Sequence, residues 1–323
     1  MDARVVLVGI DEAGYGPILG PLLVSAVAFE LPAASADQSM WELLRGSVTP
    51  RGACRQGRVP ILDSKKLYHR SDGLGRLERS VLAIVGAWRG VPPSMRCLLG
   101  LLCPAVVRTL DAYPWYQGAD PALPAAADAG GIRIASRLLR TDMQERQVRV
   151  AGCWCEVLPE GHYNRLVGST RSKAVVLSGL TLRLLQRAAE ACPGRELRVL
   201  IDKQGGREHY GAALLRAFED RRLKVLEESD TRSAYELTSD RGPWRVSYHQ
   251  AGESHHLPIA AASMVSKYVR ELLMECFNRY WAAHVPGLKP TAGYYEDGLR
   301  FLRDLQPHLA ALGVKREQLV RQR

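Results

Sequence analysis

The 323-residue chain has no apolar run approaching the ~20 residues of a membrane-spanning helix, so no helical span is expected. It lacks a disulfide framework as well. Its seven cysteines (Cys54, Cys97, Cys103, Cys153, Cys155, Cys192 and Cys276) fall at irregular spacings. Cys153-Trp154-Cys155 has no second pair at zinc-finger distance and reads as alternating strand residues. Histidines at metal-ligand spacing are missing too, because His255 and His256 are adjacent and diverge on a helix. The first apolar run, residues 5–10, is too short for a signal-peptide core and runs into acids, not a cleavage site. A cytoplasmic location is the expectation. Acids are in the minority: 34 Asp and Glu against 44 Lys and Arg leave a net charge of +10. That balance favours polyanionic partners such as nucleic acid or acidic lipid.

What is present is a globular composition, 46% apolar and 24% charged, long enough for one large domain or two ordinary ones. The stretch that organises it comes first. Residues 5–10 form a β-branched apolar run that reads as a buried strand and meets two adjacent carboxylates, Asp11 and Glu12. Gly14, Gly16, Pro17, Gly20 and Pro21 follow, and then a second apolar run, residues 22–29, reads as the partner strand. Neighbouring strand residues face opposite ways, so the two acids share a face only if the strand ends or kinks there. Acids beside glycines at a strand end let the backbone approach a ligand closely. A solvated turn is the plainer alternative.

The pattern recurs. Residues 196–201 form another core strand, ending in Asp202 and followed by Gly205 and Gly206. Asp63-Ser64-Lys65-Lys66-Leu67 reads as a helix start with Asp63 or Ser64 as cap. Helices are expected over residues 76–88, 103–110, 132–146, 164–191 and 210–220, and strands over 148–158, 223–226 and 245–249. Residues 31–60 read as polar and loop-rich, with one helical turn near 41–44. The 90–150 stretch, broken by prolines, reads as an insertion or elaborated loop region. Residues 255–284 carry an apolar stripe at helical spacing, with Lys267, Glu271 and Glu275 one turn apart along its edge. An amphipathic stretch at 299–312 precedes a short basic tail, 315–323, expected to fray.

Five of these segments, in order, resemble the type 2 ribonuclease H family (ribonucleases HII and HIII). They are Gly9-Ile10-Asp11-Glu12-Ala13-Gly14-Tyr15-Gly16-Pro17, the DSKKL string, the strand ending at Asp202, the Ala-rich helix from His256 to Lys267, and Pro290-Thr291-Ala292-Gly293-Tyr294-Tyr295. The resemblance implies a ribonuclease H-like α/β fold: a mixed sheet flanked by helices, with residues 1–285 as catalytic domain and 286–323 as a helical segment packed on it. It implies Asp11, Glu12, Asp202 and Glu271 as catalytic and metal-binding acids, with Glu275 as the fallback for the fourth. Gly14, Tyr15, Gly16, Ser64, Lys65 and Tyr294 become the substrate-binding residues.

Four carboxylates in one place repel unless a cation compensates them. Oxygen ligands suit Mg²⁺ or Mn²⁺, and two such ions ~4 Å apart can activate a water and steady a leaving oxygen. The implied activity is endonucleolytic hydrolysis of the RNA strand of an RNA/DNA hybrid, or of ribonucleotide-containing DNA, by a monomer, leaving 5′-phosphate and 3′-hydroxyl ends. Family members carry Arg, or a differently built loop, where this chain has Tyr15. Backbone contacts survive that change but a charge-assisted phosphate bond does not, so longer RNA stretches are the expected substrate. The alternatives are a hybrid-binding protein without catalysis and a DNA nuclease indifferent to ribose.

Overall fold

Alternation along the first strand builds the centre of the molecule. In the computed structural model, which describes residues 3–52, 57–68, 73–205 and 207–322, β1 (Arg4–Ala13) turns Val5 and Leu7 to one core. Val6, Val8 and Ile10 go to the other, as a two-residue period requires. Cys54 and Gly206 lie outside the described residues. An antiparallel partner, β2 (Leu22–Pro32), runs the full length of β1, and β5 (Arg149–Leu158) pairs antiparallel with β2. On the other side β6 (Glu196–Asp202) lies parallel to β1 and β9 (Trp244–His249) parallel to β6. The antiparallel strands β8 (Arg232–Thr238) and β7 (Arg222–Glu228) complete a seven-stranded mixed sheet in the order β5-β2-β1-β6-β9-β8-β7. A small second sheet joins β3 (Val48–Thr49) to β4 (Val59–Pro60). The α/β class read from the sequence is the observed one.

Helices cover both faces. On one, α10 (Leu257–His284) lies across β1 and β2, its Ala260, Ala261 and Ala262 wholly buried. It comes so near that a Cβ on Gly9 would fall 1.9 Å from the Pro258 carbonyl carbon, so only glycine fits there. On the other face α8 (Lys173–Ala191) packs Val176, Leu177, Leu180 and Leu184 against Val6, Val8 and Ile10. The expected single helix over 164–191 is two. α7 (Glu160–Thr170) stops at Arg171, whose φ of 54° is left-handed, and the Ser172 side chain caps α8 by accepting from the Val175 N–H. Cys153 and Cys155 are buried on the α10 side of β5, as strand alternation requires.

The 90–150 stretch holds α4 (Met95–Leu102), α5 (Val106–Leu110) and α6 (Ala129–Glu145), packed into the core beneath α10. Trp115 sits 5.6 Å from Phe277 of α10. Buried Glu78, on α3 (Gly75–Arg89), accepts from the N–H groups of Ala125, Ala126 and Ala127 and from the Tyr268 hydroxyl, tying three segments together. Short helices α1 (Met40–Leu43), α2 (Ser64–Leu67) and α9 (Gly211–Ala217) fill the connections. In α2 the open question of the cap resolves to Asp63, which accepts from the Lys65 N–H at 2.9 Å.

Past α10, α11 (Tyr295–Leu305) buries Phe301, Leu302 and Leu305. The tail does not fray. It forms α12 (Arg316–Leu319), with Leu319 wholly buried and Arg321 only 3% exposed. The reason is chemical: Arg321 reaches inward to backbone carbonyls that nothing in the local sequence marks as its partners.

Candidate active site

The two core strands with acidic ends are neighbours in the sheet. Parallel pairing sets Ile10 beside Ile201, so the next residues, Asp11 and Asp202, stand side by side where β6 stops. β1 does not stop with it. It continues along β2, pairing Asp11 with Ser25 and Glu12 with Val24, so both acids belong to the strand rather than to a turn. Beyond Ile10 one edge of β1 is bare, and a cavity of about 260 Å³ opens there.

Asp11 faces α10 and is 8% exposed. Its carbonyl accepts from the Ser266 hydroxyl at 3.0 Å. The Asp202 carboxylate accepts from the Gly252 N–H at 2.7 Å, in the 3-10 turn Gly252–Ser254 that leads from β9 to α10. That turn carries Glu253 into the same cavity, an acid absent from the sequence reading. Glu253 Oε2 is out of contact with solvent and has no hydrogen-bond partner among the described residues. Its signal was legible in principle. Ala251-Gly252-Glu253 follows a core strand, the same strand, glycine and acid pattern that marks Asp11 and Asp202.

Glu271 is elsewhere. Its carboxylate binds Lys267 Nζ at 2.7 Å and lies 3.5 Å from Arg270, one helical turn past the cavity. With exposed Glu275 it lines an adjoining space of about 530 Å³ that shares Lys267 and Tyr294 with the acid cavity. Helix geometry explains the correction. The face of α10 that meets Asp11 carries Ser263 and Ser266, and the charge of Glu271 is already answered by its neighbours.

Electrostatics mark the four acids as one group. Burial, then the charge of Glu12, raises Asp11 well above the usual carboxylate range. Burial and then Asp202 push Glu12 up to about 7. Asp202 reaches about 8 through burial, Asp11 and Glu253. None of the four forms an ion pair among the described residues, although Lys65 and Lys267 stand at the cavity wall. A mutually repelling set, Asp11 buried and the other three half-buried, with an orphaned oxygen fits a cation in charge and donor type. As they stand, no three described carboxylate, imidazole or thiol groups already converge on one ion.

The remaining predicted residues divide. Gly14, Tyr15, Gly16, Ser64, Lys65 and Tyr294 all line the acid cavity. Gly14 has a φ of +85°, and a Cβ there would lie 2.7 Å from Arg270 Nε, so glycine is required. Nothing lies within 4 Å of a Cβ on Gly16. Tyr15 packs its ring 5.5 Å from Lys173 Nζ. Ser64 is turned away into a 3.1 Å contact with the Ser263 hydroxyl, which joins α2 to α10. Lys65 is exposed and Tyr294 is 52% exposed, both open to a ligand.

No family model matches the chain, and no curated protein matches it. Its fold is similar to several solved structures. The ribonuclease HII of Archaeoglobus fulgidus, in complex with PCNA, is 16% identical over 99% of this chain and 95% of that one, with a TM-score of 0.48. The ribonuclease H2 of Pyrococcus horikoshii OT3 is 11% identical over 98% and 92%, at 0.46. Bst-RNase HIII in complex with Mn²⁺ is 17% identical over 98% of this chain and 66% of that one, at 0.45.

Proposed function

We propose that the chain is a divalent-metal-dependent ribonuclease H that cleaves the RNA strand of RNA/DNA hybrids, with Asp11, Glu12, Asp202 and Glu253 as its metal-holding acids. One observation carries the reading: four carboxylates from β1, β6 and one 3-10 turn share a small cavity with no ion-pair partner of their own among the described residues, and three of them, Asp11, Glu12 and Asp202, have raised proton affinities. The order of the five sequence motifs supports the substrate class.

Mg²⁺ or Mn²⁺ ions bound there would neutralise the acids, polarise the scissile phosphate and lower the pKa of an attacking water. The chain's own residues supply the rest. Exposed Lys65 places positive charge at the cavity wall for a phosphodiester backbone, while Lys267 is held by Glu271. The Tyr15 and Gly16 N–H groups, which donate to no described residue, can meet phosphate oxygens or a ribose 2′-hydroxyl. Exposed Tyr294 offers a flat apolar face to a sugar. The basic net charge of +10 favours approach of the polyanion.

The test is cleavage of an end-labelled RNA/DNA hybrid in Mg²⁺ and in Mn²⁺, with wild type beside Asp202→Asn. Metal-dependent cutting that falls by about a thousandfold in the variant is expected. Tight, salt-sensitive binding without cutting in either metal would replace the enzyme with a binding module. Equal cutting of an all-DNA duplex would remove the ribose preference.

A further inference from the structure

Behind the acid cavity, the loop of residues 14–21 is held by both its carbonyls and its N–H groups. The guanidinium of Arg321 donates to the carbonyl of Gly14 and, at 3.0 Å, to that of Tyr15, and the Arg321 N–H donates to the Ile18 carbonyl at 2.8 Å. Arg270, 1% exposed, donates to the Leu19 carbonyl at 3.3 Å and the Ala292 carbonyl at 3.0 Å. Gly20, Ile18 and Leu19 point N–H groups the other way, to buried Glu160 and to the Gly293 carbonyl.

Arg321 makes no ion pair among the described residues. Buried Glu160 is near enough to feel its charge, but no described carboxylate bonds it directly, and burying a guanidinium in that state is costly. Here its bonds go to the carbonyls of Gly14 and Tyr15. Drawing those carbonyls inward leaves the next N–H groups along the chain, those of Tyr15 and Gly16, without described acceptors in a segment that lines the cavity. The segment bearing Arg321 is itself fixed. Asn164 of α7 donates to the carbonyls of Glu317 at 2.8 Å and Val320 at 2.7 Å and accepts from the Gln322 N–H at 2.7 Å.

We infer that Arg321 is a positioning residue for substrate recognition: held by Asn164 more than 150 positions away in sequence, it presents the backbone N–H groups of Tyr15 and Gly16 to the sugar-phosphate backbone of the hybrid. This rests on the ribonuclease reading for the identity of the ligand, but not for the ordering of the loop. It assigns the tail a part in binding substrate and none in holding metal.

The experiment has one arm that needs no activity. Hydrogen exchange is followed in Arg321→Ala, Arg321→Lys and Asn164→Ala, reading the peptide over residues 13–22 against peptides from α10. Arg321→Ala is expected to speed exchange of the loop by about tenfold or more while α10 stays within about twofold, with Asn164→Ala shifting the same way by less. In the second arm, hybrid cleavage by Arg321→Ala should show KM raised by about tenfold with kcat within about threefold, and calorimetric Mn²⁺ affinity unchanged. Arg321→Lys should recover part of both effects. Unchanged loop exchange overturns the inference whether or not the wild type is a nuclease. So does a loss of kcat and Mn²⁺ affinity together at an unchanged KM. Should Arg321→Ala fail to fold, Asn164→Ala and Arg321→Lys decide between the same outcomes. A wild type that cuts no hybrid, with the loop loosened as expected, refutes the ribonuclease reading and the substrate role while leaving the positioning contact.

Discussion

The two ends of the β1–β2 pair treat a buried carboxylate in opposite ways. At one end Glu30, 3% exposed, is surrounded by arginines: Arg4 at 2.6 Å, Arg149 in direct contact and Arg195 at 3.9 Å. Burial alone would raise its pKa, but the hydrogen bonds and charges of Arg4 and Arg149 outweigh that and hold it below the ordinary value. At the other end buried Asp11 sits with half-buried Glu12 and Asp202, and their affinity for protons rises. The same sheet thus holds one acid whose countercharge is built in and a group with no ion-pair partner among the described residues. The first arrangement stabilises the fold. The second keeps like charges close together, the kind of arrangement found at functional sites.

The sharpest way to break the comparison is to change which acid belongs to the uncompensated group. Glu253→Gln is expected to lower hybrid cleavage by about a hundredfold or more, whereas Glu271→Gln, which removes an acid already paired with Lys267, should stay within about tenfold. Initial rates of both at saturating Mn²⁺ measure this, and the reverse order would restore Glu271 to the metal site.

Glu160 tests an intermediate case. It is wholly buried and pushed up to about 7, mainly by burial, against the opposing pull of Arg321 and Arg270. Because its folded value lies above the unfolded value of 4.5, its stabilising contribution is complete below about pH 4.5 and is lost as pH rises through about 7. The stability difference between wild type and Glu160→Gln should therefore change by about 3 kcal/mol across that window, favouring the variant at high pH. Urea midpoints between pH 4 and 9 give the curve, and parallel profiles would refute the assignment.

Metal removal probes the relief of repulsion directly. A divalent ion at about 100 times its Kd should stabilise the wild type by about 2.7 kcal/mol relative to protein in chelator. Asp11→Asn should lose most of that gain and, without metal, melt no lower than the wild type, because one of the repelling charges is gone. Thermal melts with Mn²⁺ and with EDTA distinguish these outcomes.

The smallest effect belongs to the compensated end. Glu30→Gln should cost about 2 kcal/mol at neutral pH and leave the response to Mn²⁺ intact. The figure is modest because the Arg149 and Arg195 side chains are 63% and 46% exposed and solvent screens much of their charge.

How much could be read in advance follows the range of the forces involved. A strand followed by an acid and glycines is a local pattern, so Asp11, Glu12 and Asp202 stood out, and parallel register then made Asp11 and Asp202 neighbours. β8 escaped because its polar sequence, RSAYELT, offers little of the apolar run that marks a strand, and its pairing with β7 and β9 fixes it instead. The Ser172 cap that splits α7 from α8 was present in the sequence, but the apolar positions on either side continue at helical spacing and conceal it.

The sequence by itself determined the class of fold and the strands that carry the acids, because both follow from short-range periodicity. Only the tertiary structure decided that Glu253 and not Glu271 joins the acids, and that Arg321 reaches back more than 300 positions to Gly14. Both outcomes depend on which charge finds a partner first. Glu271 finds Lys267 one turn away on its own helix. Glu253 Oε2 finds no hydrogen-bond partner, and Arg321 finds the carbonyls of a loop that the fold has folded over it.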